Sequence, residues 1–280
     1  MRIIENITYV ERQSENLALD LYLPYRTPQA TVVFAHGGGF QKGTRSSAEV
    51  LPLARRFTRD GYAFASISYR LKTPLEAFDL IHRKAIRANR KRSVESGLAT
   101  SKRLMGPAFE AARLDLGAAV AFMKSRSSGW DIATSSVFVV GISAGGIAAL
   151  SLAYPPENLP TTCRPDAVLG LGAAMVQPWC LSPNGVPSLM LHSTMDRIIR
   201  PQNTALVEKA ARQAEAPLRT IICARRGHGA PVEALLNDQD KTGTPYWTHM
   251  RMLFDACSDQ SSARKRLIRL DVSQRPPPSF

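Results

Sequence analysis

A chain of 280 residues with 44% hydrophobic residues and a mean hydropathy of −0.14 is long enough for one large α/β domain, and no uncharged apolar run approaches the roughly 18 residues a membrane span needs. The net charge of +13 is unevenly placed: nine Lys or Arg stand against three Asp or Glu from Lys72 to Arg103, and five against two from Ser258 to Phe280. These two segments hold +9 of the +13, so the rest is mildly basic and a dedicated nucleic-acid reader is not expected.

Met1-Arg2-Ile3-Ile4-Glu5 carries no basic-then-apolar leader and passes into a strand, Asn6 to Glu11, which gives a cytoplasmic protein as the expectation. Leu17 to Leu23 reads as a second strand ended by Pro24, and an antiparallel start follows from the turn residues between the runs. Thr31 to Ala35 is a short continuous apolar run, the mark of a strand covered on both faces, and it stops at His36-Gly37-Gly38-Gly39-Phe40. A helical stretch, Ser46 to Arg59, leads through Asp60-Gly61 to a further buried-type strand, Ala63 to Ser68, so a βαβ alternation has begun. The basic region then interrupts it, reading as helical from Leu75 to Arg92. Order resumes with a helix over Ala108–Lys124, where Leu114, Gly117, Ala118, Ala121 and Phe122 recur at helical spacing and are expected to face the sheet. Ser136 to Val140 is the next strand, followed at once by Gly141-Ile142-Ser143-Ala144-Gly145-Gly146 and an alanine- and leucine-rich helix.

Gly141-x-Ser143-x-Gly145 between a buried strand and a helix is the nucleophile-elbow pattern, in which a sharp turn lifts the serine hydroxyl above the sheet edge. Flanking glycines are a geometric need, because side chains there would strike the neighbouring strand and helix. The alternative, a phosphate-binding βα turn, lacks a Walker lysine and the dinucleotide spacing. A serine hydroxyl is a weak nucleophile and needs a histidine base, itself oriented by a carboxylate, in the chain order serine, acid, histidine. His228, in Arg226-Gly227-His228-Gly229 just after the strand Leu218–Cys223, fits better than His249, which falls in the terminal helix Tyr246–Ala256. Asp196 lies just beyond the strand Pro187–His192. Asp166 precedes a strand, and Asp238 and Asp240 come after His228, so these fit the order poorly. A helix cap for the segment near Pro201 is the competing role for Asp196. His192, ending a buried strand, is read as structural. For the oxyanion formed on attack, the His36–Gly39 run and the N–H of Ala144 offer donors.

His36 to Phe40, Gly141 to Gly146, His192 to Pro201 and Gly227 to Gly229 together resemble the HGGG-bearing serine esterases of the α/β-hydrolase superfamily, and among them the hormone-sensitive-lipase-like and feruloyl-esterase-like carboxylesterases. The resemblance spans most of the chain. It implies the α/β-hydrolase fold, a mostly parallel central sheet flanked by helices, and cleavage of small or short-chain carboxylic esters through an acyl-enzyme. It implies Ser143, Asp196 and His228 as catalytic residues and the N–H groups of Gly38, Gly39 and Ala144 as the oxyanion hole. No metal or organic cofactor is required. Ile142 stands where many such enzymes carry an acid, and Ser193 where a glycine is common. An amidase using the same triad and an inactive binding module remain alternatives.

The expected organisation is a single α/β-hydrolase domain over 1–280 with an inserted cap over 72–107, after the fourth strand, and a basic tail over 258–280. Leu75, Phe78, Ile81, Ile86 and Met105 are the candidate apolar contacts of the cap, and a solvated helix is the competing reading. The tail is assigned no catalysis. Cys163, Cys180, Cys223 and Cys257 form no metal or redox spacing and are read as free thiols, a Cys163–Cys180 bridge being the only pairing considered. The expected partner is a small-molecule ester, with no membrane span, and a homodimer is one option for the oligomeric state.

Overall fold

The structure, a computed structural model, describes residues 1–125, 132–133 and 135–258; the basic tail, from residue 259 on, lies outside the described residues. Its strands are β1 (Arg2–Glu11), β2 (Asn16–Leu23), β3 (Ala30–Ala35), β4 (Tyr62–Ile67), β5 (Val137–Ile142), β6 (Ala167–Leu171), β7 (Ser188–Ser193) and β8 (Leu218–Cys223). The helices are α1 (Val50–Arg59), α2 (Leu80–Glu95), α3 (Pro107–Ser125), α4 (Ala144–Ala153), α5 (Gln202–Gln213), α6 (Ala230–Asn237) and α7 (Tyr246–Ser258). The strands form one sheet in the order β1-β2-β4-β3-β5-β6-β7-β8. β1 and β2 pair antiparallel, β2 pairs antiparallel with β4, and every other neighbour is parallel.

Parallel strands need helical crossovers, and helices on both faces explain why β3, β4 and β5 are buried at every residue. Alternate residues of β3 serve the two sides: Val33 and Ala35 join a core with Leu116 and Val120 of α3 and Ile147 of α4, while Val32 and Phe34 join one with Phe57 of α1 and Trp247 and Phe254 of α7.

The structure departs from the sequence reading in several places. α1 begins at Val50 rather than Ser46, and β1 begins at Arg2 rather than Asn6. α3 turns Ala112, Leu116, Ala119, Val120 and Met123 inward, whereas Ala121 is exposed and Leu114, Ala118 and Phe122 are half-buried. That helix also buries its charged residues Glu110, Arg113 and Asp115, so apolar periodicity alone does not pick out the face that packs. The eight-residue α6, preceded by glycines and with proline in its first turn, has no counterpart among the elements expected from the sequence. The cysteines agree with the expectation: Cys163, Cys180, Cys223 and Cys257 are free thiols.

The basic stretch forms a 3-10 turn at Leu75–Ala77 and then α2, which starts where the Asp79 carboxylate accepts the His82 N–H at 2.8 Å. Phe78, Ile86 and Met105 are buried as contacts, but Ile81 is 81% exposed and makes no core contact. Against α3, His82 Nε2 lies 3.0 Å from Glu110 Oε1, and the buried Glu110 carboxylate also takes two bonds from Arg113 at 2.8 and 2.6 Å. Ser93 Oγ donates to Val176 O at 2.7 Å, beyond the end of β6, and the Ala99 N–H donates to Asn203 Oδ1 at 2.8 Å. The segment is thereby tied to the loop after β6 and to the first turn of α5.

Candidate active site

Because β3 and β5 to β8 run parallel, the segments following them emerge at one edge, and five of these meet there. After β5 the chain turns at Ser143, whose φ of +52° and ψ of −114° lie outside the regions a side-chain-bearing residue prefers. The strained turn is pinned by the Ser143 N–H, which donates to Leu171 O on β6 at 2.8 Å. It also needs its glycines: a Cβ on Gly145 would lie 2.6 Å from His36 O, and one on Gly141 would lie 2.5 Å from Gly146 N.

His228, in the loop after β8, bridges the other two residues. Its Nε2 lies 2.7 Å from Ser143 Oγ and its Nδ1 lies 2.7 Å from Asp196 Oδ2. Asp196, in the loop after β7, spends its other oxygen on the backbone N–H groups of Ile198 at 2.8 Å and Ile199 at 2.9 Å, so its orientation is fixed before a substrate arrives. Burial pushes its carboxyl pKa up, but the His228 bond and the two backbone donors outweigh that and hold it below the usual carboxylate value. The Asp196 side chain is fully buried while that of His228 is 22% exposed, so the dyad opens to solvent at the histidine and serine end.

Gly37 is the member of the glycine run that lies against the serine: a Cβ there would stand 3.4 Å from Ser143 Cβ. Gly38, Gly39 and Phe40 follow with φ of +116°, +64° and +61°. The N–H groups of Gln41 and Lys42 both donate to Gly38 O at 3.2 Å, closing the turn, and a Cβ on Gly38 would meet the Lys42 carbonyl. Ala144 opens α4 directly after the serine, and the N–H groups of a helix's first turn lack intrahelical partners and face outward with partial positive charge.

Several supporting residues carried little signal in the sequence. His192 is fully buried, with Nε2 2.8 Å from Ile199 O and 3.5 Å from Asp196 Oδ2, so it buttresses the acid loop; its strand-end position was the only hint. Burial holds its pKa below the usual histidine value, and the same is true of His36. His36 stacks on Tyr69 at 4.2 Å between centroids, and the Tyr69 hydroxyl donates to His36 O at 2.8 Å. Gly172, with φ of +57°, lies against the His228 loop, where a Cβ would stand 2.9 Å from His228 O. Ser193 Oγ donates to Arg225 O at 2.6 Å, linking the acid and histidine loops. The carboxylates set aside are committed elsewhere: Asp166 to Lys124 and the Val137 N–H, Asp238 to Arg225, and Asp240 to His249. Among the described residues no group of three His, Cys, Asp or Glu is placed to hold a metal ion, and no helix is long and apolar enough to cross a membrane.

Comparison with solved structures places the fold. Thermogutta terrifontis esterase 2 phosphorylated by paraoxon is 14% identical, with a TM-score of 0.62 over 99% of this chain and 96% of that chain. The chain has the α/β-hydrolase fold. The same esterase with butyrate bound matches this hydrolase fold at 14% identity and a TM-score of 0.61, over 99% and 96% of the two chains. Its native form matches at 15% identity and 0.61, over 88% of each. The BD-FAE family model, that of feruloyl-esterase-like α/β hydrolases, matches residues 19–87, from β2 into α2. No curated protein matches the sequence.

Proposed function

We propose that this chain is a serine hydrolase that cleaves small or short-chain carboxylic esters through an acyl-enzyme. One observation carries the reading: the unbroken relay from Ser143 Oγ through both nitrogens of His228 to Asp196, with a 2.7 Å bond on each side of the ring. The esterase neighbours, one bound to butyrate, and the feruloyl-esterase-like family match over the front of the chain support the same class.

In this mechanism Ser143 Oγ attacks the ester carbonyl carbon as its proton passes to His228 Nε2, and Asp196 stabilises the resulting imidazolium through Nδ1–H. The negative charge that develops on the carbonyl oxygen is held by the N–H groups of Gly38, Gly39 and Ala144, the last at the positive end of α4. His228 then gives its proton to the departing alkoxide. A water molecule, deprotonated by the same nitrogen, attacks the acyl-serine, and the acid leaves as Ser143 recovers its proton. The stretch over 72–107 acts as a cap, since its hydrogen bonds run to the loop after β6 and to the first turn of α5, which follows the loop carrying Asp196.

The test is initial-rate hydrolysis of 4-nitrophenyl esters from acetate to decanoate, with Ser143→Ala as the blank, alongside mass-spectrometric mapping of the site labelled by a fluorophosphonate. Ser143-dependent release that declines with chain length, with the label on Ser143, is expected. Near-wild-type turnover by Ser143→Ala, or a label elsewhere, overturns the assignment.

A further inference from the structure

The steps above use none of the charge of the basic stretch. Part of that stretch encloses a recess of ≈ 340 Å³ beside the glycine loop, lined among others by Gln41, Lys72, Thr73, Arg90, Lys102 and Arg103. Every ionisable group on its wall is a cation. Three other cations of the same stretch have partners: Lys91 pairs with Glu95 at 3.8 Å, Arg83 donates to Phe78 O at 2.5 Å and Glu76 O at 2.7 Å, and Arg92 lies 4.7 Å over the Trp179 ring. Among the described residues no carboxylate lies within ion-pair distance of Lys72, Arg90, Lys102 or Arg103. Like charges gathered around one concavity repel one another and focus a positive potential into it, an arrangement that an entering oxyanion relieves.

The recess is coupled to the proposed oxyanion loop by direct contacts. The Lys72 N–H donates to Phe40 O at 2.9 Å, and both residues hold left-handed backbones, with φ of +53° and +61°. These two and Ser143 are three of the five non-glycine residues with positive φ in the described chain, so the strain concentrates here. The Arg103 guanidinium lies over Gly39, where a Cβ would be 3.1 Å from Nη2. Gly37, two residues earlier, lies beside Ser143, where a Cβ would stand 3.4 Å from the Ser143 Cβ. Backbone dimensions therefore place the Arg103 guanidinium no farther than about 17 Å from Ser143, so contact distances of about 3 Å at each end leave at most about 11 Å for the ester to bridge.

We infer that this recess is an anion subsite and that the substrate is an ester bearing a carboxylate or phosphate, which Lys72, Arg90, Lys102 and Arg103 bind while its carbonyl sits at Ser143. The inference rests on the serine-hydrolase reading. It is tested with two matched pairs: 4-nitrophenyl hemiglutarate against its methyl ester, with the charge on the acyl side, and 4-acetoxybenzoate against its methyl ester, with the charge on the alcohol side. At low ionic strength kcat/KM for the anionic member of at least one pair should exceed that of the neutral member by about tenfold, chiefly through KM. That preference should shrink in ~0.5 M NaCl, because the cations are exposed. It should also drop about tenfold in the Arg90→Gln/Lys102→Gln protein. Equal rates within both pairs, or a preference unchanged in the double variant, overturn the subsite. Should no ester be cleaved by either protein, the hydrolase reading fails instead. The recess is then judged by calorimetric titration with inorganic phosphate: saturable binding lost in the double variant retains an anion site, and no binding removes it.

Discussion

Replacing Gly145 with alanine tests whether the packing of α4 against β3 sets the position of the nucleophile. The added Cβ would lie 2.6 Å from both Ala35 C and His36 O and closer still to Ala35 O, about 1 Å inside the normal contact distance. All three are backbone atoms of β3 and the residue following it, so no rotamer change relieves the overlap. The start of α4 must withdraw by on the order of 1 Å, at a cost near the upper end of the overpacking range, about 3 kcal/mol. Ser143 is the N-cap of that helix, so the shift stretches its 2.7 Å bond to His228, and a misplacement of that size lowers turnover by about 10²-fold. The assay is urea unfolding together with 4-nitrophenyl acetate hydrolysis, run beside Gly229→Ala. At Gly229 the space is open and φ is −80°, so stability should change by less than about 0.5 kcal/mol. Wild-type stability of Gly145→Ala refutes the steric reasoning, and a stability loss with unchanged turnover refutes its link to the serine.

Asp196→Asn should lower kcat by about 10⁴-fold with the fold intact, because an amide donor opposite Nδ1 selects the imidazole tautomer whose Nε2 is already protonated and cannot accept the serine proton; steady-state kinetics read it, and a loss under tenfold contradicts the relay. Arg113→Met leaves the buried Glu110 without its guanidinium and should cost about 3–5 kcal/mol in urea unfolding, with Glu110→Leu/Arg113→Met recovering most of it. Stability should rise from pH 5 to 7: His36 and His192 have depressed pKa values through burial, so the unfolded chain binds more protons in that window and each contributes up to about 1.4 kcal/mol per pH unit. Asp196, also depressed, acts in the same direction at lower pH: its contribution is present above the ordinary carboxylate value of about 3.9 and is lost as pH falls through the folded value. Urea midpoints at pH 5, 6 and 7 measure the histidine part. A flat profile, or a slope unchanged in His192→Gln, contradicts it.

Legibility in the sequence followed how local each constraint is. β3 and β5 were visible as short apolar runs because helices cover both their faces, and β8 was read residue for residue between turn signals. The elbow around Ser143 was legible because its tight turn excludes all but glycine at the flanking positions. The inward face of α3 was not, since it buries Glu110, Arg113 and Asp115 along with its apolar residues, and neither was α6, which is too short for its periodicity to register. Ile81 had the chemistry of a core contact, yet α2 docks through Ala85, Ile86, Asn89 and Ser93 and leaves it in solvent.

Of the site, the sequence by itself determined the residue types, their order, and the strand ends after which Ser143, Asp196 and His228 fall, because backbone geometry and strand burial are written within a few neighbouring residues. Only the tertiary structure decided that His228 reaches both partners, that His192 and Tyr69 brace the loops, and that Arg103 lies over Gly39. Those contacts join residues up to 85 positions apart. They depend on sheet order and helix docking, which arise from the summed burial of the whole chain and leave no mark at any single position.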